Sequence, residues 1–287
     1  MRTFANFAAI DWSGAAGERH KGIAVALCGP AGPPALVRPG HRWSRAEVLD
    51  WLLAEMPEDT LVGLDLSGSM PFADASAYFP GWDESPADAR GLWALVERHS
   101  ADDPHLSAMS FFDHLEASRY FRRHGGRRGD RFGEGRQGRF RITENAQRAL
   151  GCRPYSNLNL VGAAQVGKSS LTGMRVLHRL SGKLPLWPFD AVPETGSLVV
   201  EIYTTIAAIA AGRAPGRSKM RSYEALNDAL GNLGSPPVPS EGAIDDHTSD
   251  ALLTAAWLRH VHGDAALWHP PGLDAVRFTE GWTFGAR

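Results

Sequence analysis

The sequence predicts an α/β protein built on one mixed sheet flanked by helices, and three observations carry that expectation. Short β-rich apolar runs crowd the first third of the chain, a well-punctuated helix separates the third run from the fourth, and helical periodicity is clearest again near the end. With 287 residues, 43% hydrophobic and 22% charged, the chain has the size and makeup to bury a substantial core. It reads as one domain over 1–287, with an irregular Arg/Gly-rich insertion at about 70–160, between the fourth and fifth strands.

The first run, Phe7 to Ile10, is stopped by Asp11-Trp12-Ser13-Gly14. The second, Gly22 to Cys28, ends at Gly29-Pro30, and a third lies near Ala35 to Arg38, bounded by prolines and Gly40. Short Gly/Pro connections predict an antiparallel meander. Ser44 and Glu47 have capping-box spacing, and Val48, Leu49, Leu52, Leu53 and Met56 recur at helical period before Pro57. Leu61 to Leu66 is the next strand, giving a β-β-β-α-β start. Ser85-Pro86 predicts the N-cap and first residue of a helix through about His99. The Arg/Gly stretch after it is expected to be a loop with no core of its own. Leu198 to Tyr203 reads as a fifth strand, and a last helix is expected from about Thr248 to His262, with Gly263 at its C′ position.

Cys28 and Cys152 supply neither a disulfide framework nor a zinc pattern, which predicts a reducing compartment. The N-terminus lacks a cationic segment followed by a long apolar one, and the longest apolar-leaning run, about Ile202 to Ala211, is half of what a membrane-spanning helix needs. The expectation is a soluble, cytoplasmic protein.

Net charge is −2, but it is unevenly placed. Between Arg119 and Arg141, nine arginines face only Asp130 and Glu134, leaving about −9 for the rest of the chain. Arg122, Arg123, Arg127, Arg128, Arg131 and Arg136 are candidate contacts for a nucleic-acid backbone. The plainer alternative is a solvated loop, since arginine outnumbers lysine 26 to 4 throughout.

Four carboxylates fall where apolar residues belong. Asp11 ends one strand, Asp65 and Glu201 interrupt two more, and Asp250 heads the apolar stripe of the last helix, with His247 three residues before it. A buried carboxylate is costly unless it is neutralised, paired or bound to metal, and sites on α/β sheets gather beyond the carboxyl ends of strands. Each acid also has an ordinary explanation. Asp11 and Asp65 fit turns, Glu201 fits pairing with a buried arginine, and Asp250 fits a first-turn acid favoured by the helix dipole.

Asp11-Trp12-Ser13-Gly14-Ala15, Gly63-Leu64-Asp65, Glu201-Ile202-Tyr203 and His247-Thr248-Ser249-Asp250-Ala251-Leu252 together resemble a bacterial family known as domain-of-unknown-function family 429, regarded as predicted nucleases of RNase H-like fold. The resemblance spans nearly the whole chain, including Val166-Gly167, Leu171-Thr172-Gly173 and Glu280-Gly281-Trp282. The last helix is also similar to that of Holliday-junction resolvases, where an acid or histidine stands three residues before Asp-Ala-Leu. One departure is Thr204 after Tyr203, where the resemblance leads to an expectation of proline.

The resemblance implies hydrolysis of phosphodiester bonds assisted by two Mg²⁺ or Mn²⁺ ions about 4 Å apart. It casts Asp11 as the bridging ligand, Asp65 and Asp250 as ligands on either side, Glu201 as a further ligand or an orienter of water, and His247 as ligand or general base. It also implies DNA or RNA as partner, branched or single-stranded. Resolvase-like enzymes often work as dimers, so a homodimer is an expected assembly.

Gly162 to Ser169 matches G-x-x-x-x-G-K-[ST], which would put Lys168 on phosphate. The match needs a strand before it and a helix after it; Ser156 to Val161 is a poor strand, Thr172-Gly173 weakens the helix, and no Walker B run follows. A phosphate-contacting turn at Lys168 remains open. Two other functions stay in play: an ATP-dependent phosphotransferase of actin-like fold, for which Asp11-Trp12-Ser13-Gly14 fits poorly, and a nucleic-acid-binding module without catalysis.

Overall fold

The structure, a computed structural model, describes residues 2–133, 137–161 and 166–287. Six strands form one mixed sheet in the order β3-β2-β1-β4-β6-β5: β1 Asn6–Asp11, β2 Ala24–Cys28, β3 Ala35–Leu36, β4 Thr60–Asp65, β5 Leu186–Trp187 and β6 Leu198–Glu201. β1 and β2 are antiparallel, as are β2 and β3, so the expected meander forms. β1, β4, β6 and β5 run parallel.

α1 (Arg45–Asp50) begins at Ser44 with the expected capping box, in which Ser44 accepts from the Glu47 N–H and the Glu47 carboxylate accepts from the Ser44 N–H. Such a cap stabilises a helix by about 1 kcal/mol. α2 (Ala89–His99) begins later than expected. Its cap is Asp88, because the Ser85 hydroxyl already accepts the N–H of Phe79. α3 (Met109–Asp113), α4 (Ile142–Ala149) and α5 (Val166–Leu180) follow. α5 runs through Thr172-Gly173 without a break. Gly173 lies so close to β4 that a Cβ there would stand 2.5 Å from the Leu66 side chain, so close packing outweighs glycine's poor helix propensity. After β6 come α6 (Thr204–Ala210), α7 (Tyr223–Asn232) and α8 (Asp246–Val261).

Strand alternation sends side chains to two cores. Ala8, Ile10, Val62, Leu64 and Val199 face the layer holding α1, α2 and α5. Phe7, Ala9, Leu61, Leu198 and Val200 face the layer of α6, α7 and α8.

The Arg/Gly stretch departs from expectation. Phe132 and Phe121 are completely buried within the first core, so the described part of this segment packs against the domain. β6 ends at Glu201, two residues short of Tyr203, because the chain turns there into α6 and the Glu201 carbonyl accepts the N–H of Phe284. Gly263 does follow the α8 C-cap, though without a left-handed φ. Among the described residues no helix is long and apolar enough to cross a membrane.

Candidate functional site

β1 and β4 end together. Their parallel register sets Asp11 opposite Asp65, so both carboxylates leave the same face at the carboxyl edge of the sheet. α8 crosses that face. Its cap is Asp245, which accepts both the N–H and the hydroxyl of Thr248, and Asp246 is the first-turn acid. The dipole explanation therefore applies to Asp245 and Asp246; Asp250 lies a turn deeper, buried beside Ala251. His247, three residues before Asp250, brings Nδ1 to 2.8 Å from Asp11 Oδ2. Beside it, Ser13 Oγ accepts the Ala15 N–H and the Gly14 N–H donates to Ser169 Oγ.

Lys219, in the connection between α6 and α7, donates from Nζ to Asp250 Oδ2 at 2.6 Å. The backbone N–H of Thr204 lies near the Asp65 carboxylate and favours its charged form. A proline at that position would have no such donor.

Burial raises the proton affinity of all three aspartates, and neighbouring carboxylates add to it at Asp65 and Asp250. Burial, then the charges of Asp11 and Asp250, push Asp65 well above the usual carboxylate range. Burial also raises Asp11 against the pull of His247 and Lys219, and it raises Asp250 to about 6 although Lys219 opposes the shift. His247 is raised by its hydrogen bond to Asp11 and so holds its proton toward neutrality. Its Nδ1 is engaged by Asp11.

Glu201 is elsewhere. It pairs in register with Leu64, and so points to the opposite face from Asp65. There Arg141 binds both of its oxygens at 2.6 and 2.8 Å, Gly68 donates its N–H at 2.7 Å, and Thr283 donates its hydroxyl. Arg141 also pairs with Glu144 at 2.8 Å, and all three side chains are nearly inaccessible. The alternative of a buried arginine partner describes Glu201; the structure does not bring it to the aspartates. Nearby, Glu280 accepts the N–H groups of Phe72, Ala73 and Ile142, which ties the C-terminal segment to this same face.

The loop after β1 joins the acids to the basic segment. Arg45, fully buried and among the described residues without a carboxylate partner, holds the Ser13 carbonyl at 3.0 and 3.1 Å and the His105 carbonyl at 2.9 Å. Burial lowers its pKa to about 10. The Gly14 N–H reaches Ser169 Oγ at 3.1 Å, and Trp12 Nε1 reaches Thr172 Oγ1 at 3.1 Å, both on α5. One residue before Ser169, Lys168 Nζ stands 3.1 Å from His124 Nε2. His124 sits at the tip of a hairpin in which the Arg123 N–H donates to the Arg127 carbonyl, while Arg122 pairs through its backbone with Leu158 and Leu160.

Not every arginine of that segment is available. Arg119 is tied to Asp130, Arg123 to Asp113, Arg139 to Asp74 and Arg141 to Glu201. Arg131 lies over Tyr120 and donates to the Pro80 carbonyl. Arg122, Arg127 and Arg128 are exposed and, among the described residues, have no carboxylate partner. Arg136 lies outside the described residues.

Gly162 to Gln165 of the P-loop-like match also lie outside them. Ser156 to Val161 forms no strand, only a bridge from Asn159 to Arg122, although the helix after the match is sound.

Lys219 and Arg45 carried no sequence signal, because each is a lone cation whose partners are remote in the chain. Among the described residues, no three His, Cys, Asp or Glu side chains are spaced to hold one metal ion. Comparison with family models, with curated proteins and with solved structures finds no match to this chain.

Proposed function

We propose that the protein is a metal-dependent nuclease of RNase H-like fold that hydrolyses phosphodiester bonds in nucleic acid. The observation that carries this reading is the set of three aspartates, Asp11 and Asp250 buried and Asp65 partly buried, at the carboxyl ends of two parallel strands and on the helix that crosses them. Their raised proton affinities mean that His247 and Lys219 only partly compensate the buried negative charge. All-oxygen donors without cysteine suit Mg²⁺ or Mn²⁺, which at such a site activates water and stabilises the leaving oxygen. Lys219 and His247 occupy Asp250 Oδ2 and Asp11 Oδ2, so cation binding requires one or both to release its carboxylate.

In this reading Asp11, Asp65 and Asp250 are the ligands. His247 orients Asp11 and holds a proton that a leaving oxygen can take. Arg122, Arg127, Arg128 and Lys168 lie along the path from the acids through Gly14 and α5, and they bind the phosphate backbone. Glu201 holds Arg141 and the C-terminal segment, and is left out of the ligand set.

The test is calorimetric titration with Mn²⁺, followed by cleavage of single-stranded and branched DNA and RNA. Wild type and Glu201→Gln are expected to bind Mn²⁺ alike, while Asp65→Asn and the double variant Asp11→Asn/Asp250→Asn lose binding and cleavage. Absence of Mn²⁺ binding by the wild type would refute the reading.

A second reading, a nucleic-acid-binding module without catalysis, is favoured by one observation: Asp250 and Asp11 already have cationic partners in Lys219 and His247. It expects all three aspartates to be replaceable without loss of nucleic-acid affinity.

A further inference from the structure

We propose that Lys219 is a built-in, displaceable counter-cation, which occupies the acid cluster in the metal-free protein and gives way when a divalent cation enters. The inference rests on the metal-site reading above and adds the residue that sets how readily a cation is accepted.

Position comes first. Lys219 Nζ is 2.6 Å from Asp250 Oδ2, and its charge also acts on Asp11 and Asp65. The ammonium therefore contacts one acid of the site, Asp250 on α8, and its charge favours the ionised forms of the two at the strand ends.

Exposure comes second. The Lys219 side chain is 51% exposed, whereas Asp250 is 8% exposed. The lysine reaches in from solvent, so its withdrawal returns the ammonium to water.

Anchorage comes third. The next residue, Met220, is buried, and its carbonyl accepts from Ser249 Oγ at 3.2 Å, on α8 beside Asp250. Ser222 bridges to Ala243 and caps α7. The backbone is fixed on both the site and the next helix, which leaves the four-carbon stem as the moving part. Lysine also suits a displaceable role better than arginine does. Its ammonium is a compact point charge, while an arginine's planar fork would grip a carboxylate with two bonds. In a chain with 26 arginines and 4 lysines, that choice stands out.

Two cations competing for one set of carboxylates are negatively coupled, and coupling of ordinary size changes affinity by about 5- to 150-fold. Removing the competitor tightens metal binding.

The experiment is Mn²⁺ calorimetry at about pH 8, where protons compete least with the metal, on wild type, Lys219→Met, Lys219→Gln and Lys219→Arg. Thermal melts with and without Mn²⁺ give a readout independent of catalysis. Both neutral variants are expected to bind Mn²⁺ about tenfold tighter than wild type, and the Arg variant no tighter. Without metal the neutral variants melt below wild type, and saturating Mn²⁺ closes that gap. Because Met and Gln differ in shape and share only the lost charge, a common effect belongs to the charge. If both bind Mn²⁺ no tighter than wild type while Asp65→Asn still abolishes binding, the metal site stands and the counter-cation idea fails. If neither wild type nor the neutral variants bind Mn²⁺, both fall together.

Discussion

At the scale of single residues, the clearest consequence of the site is its cost to the fold. A carboxyl whose folded-state pKa is raised binds more protons folded than unfolded, so its stabilising effect is complete below the unfolded value and is lost as pH rises through the folded one. For Asp250 that window runs from its ordinary 3.8 to about 6. Asp11, Asp65 and His247 are raised too, and therefore act in the same direction. Glu47, held near 2 by the Ser44 N–H, Arg19 and His41 against the effect of burial, acts oppositely and protects the fold as far as strong acid. Stability of the metal-free protein should accordingly fall as pH rises from the ordinary carboxylate value through about 6. Raising Asp250 from 3.8 to about 6 corresponds to ~3 kcal/mol, so Asp250→Asn should flatten that fall by up to this amount. Urea unfolding of both proteins across the range measures it; parallel curves would mean that Asp250 is not the buried acid of raised proton affinity described. The same substitution that weakens function should thus stabilise the fold near neutral pH, as expected where a site is held ready for a cation.

At the scale of elements, one close approach couples the β1 loop to α5. A Cβ on Gly14 would stand 2.3 Å from the Ser169 backbone nitrogen, and backbone cannot swing aside as a flexible side chain can. Gly14→Ala should separate the loop from α5, release the Ser169 hydrogen bond and disturb Asp11 three residues upstream. The expected result is a loss of about 1–3 kcal/mol in stability with markedly weaker Mn²⁺ binding. Gly17→Ala, where nothing lies within 4 Å but φ is +100°, is the comparison for backbone strain alone. Elements that depend on local signals were legible in the sequence: the first three strands, the Ser44–Glu47 cap and the strand bearing Asp65. β5 was not, since two residues make a strand only by pairing with β6. Nor was the start of α2, where the Ser85 hydroxyl that would have capped the helix is spent on Phe79. The site was legible as four misplaced acids, yet not as three with one apart. Alternation within each strand is written in the sequence, but the register that turns Glu201 away from Asp65 is set by pairing across the sheet.

At the scale of the whole molecule, the charge asymmetry seen in the sequence survives folding in reduced form. Four of the nine arginines between Arg119 and Arg141 are committed to carboxylates, and Arg122, Arg127 and Arg128 remain as the exposed cationic edge of one hairpin. This edge connects through Lys168 and Gly14 to the loop that leaves Asp11, so a strand of nucleic acid lying on the hairpin would run toward the aspartates. Backbone neutralisation by arginine releases counterions, so affinity falls with salt at a slope of roughly 0.7 per phosphate contact on single strands and 0.9 on duplex. Replacing Arg122, Arg127 and Arg128 with alanine should weaken binding and shallow the logarithmic salt slope by about 2 to 3. Mn²⁺ affinity should be untouched, because none of the three contacts an acid of the site. Asp65→Asn should do the reverse, losing the metal while keeping the slope. Fluorescence anisotropy over a salt series reads the slope, and calorimetry the metal. An unchanged slope in the triple variant would make the hairpin a solvated face and move the phosphate path elsewhere. A simultaneous loss of Mn²⁺ binding would mean instead that the hairpin supports the fold around the acids. The two properties separate only if binding and chemistry occupy different ends of one path.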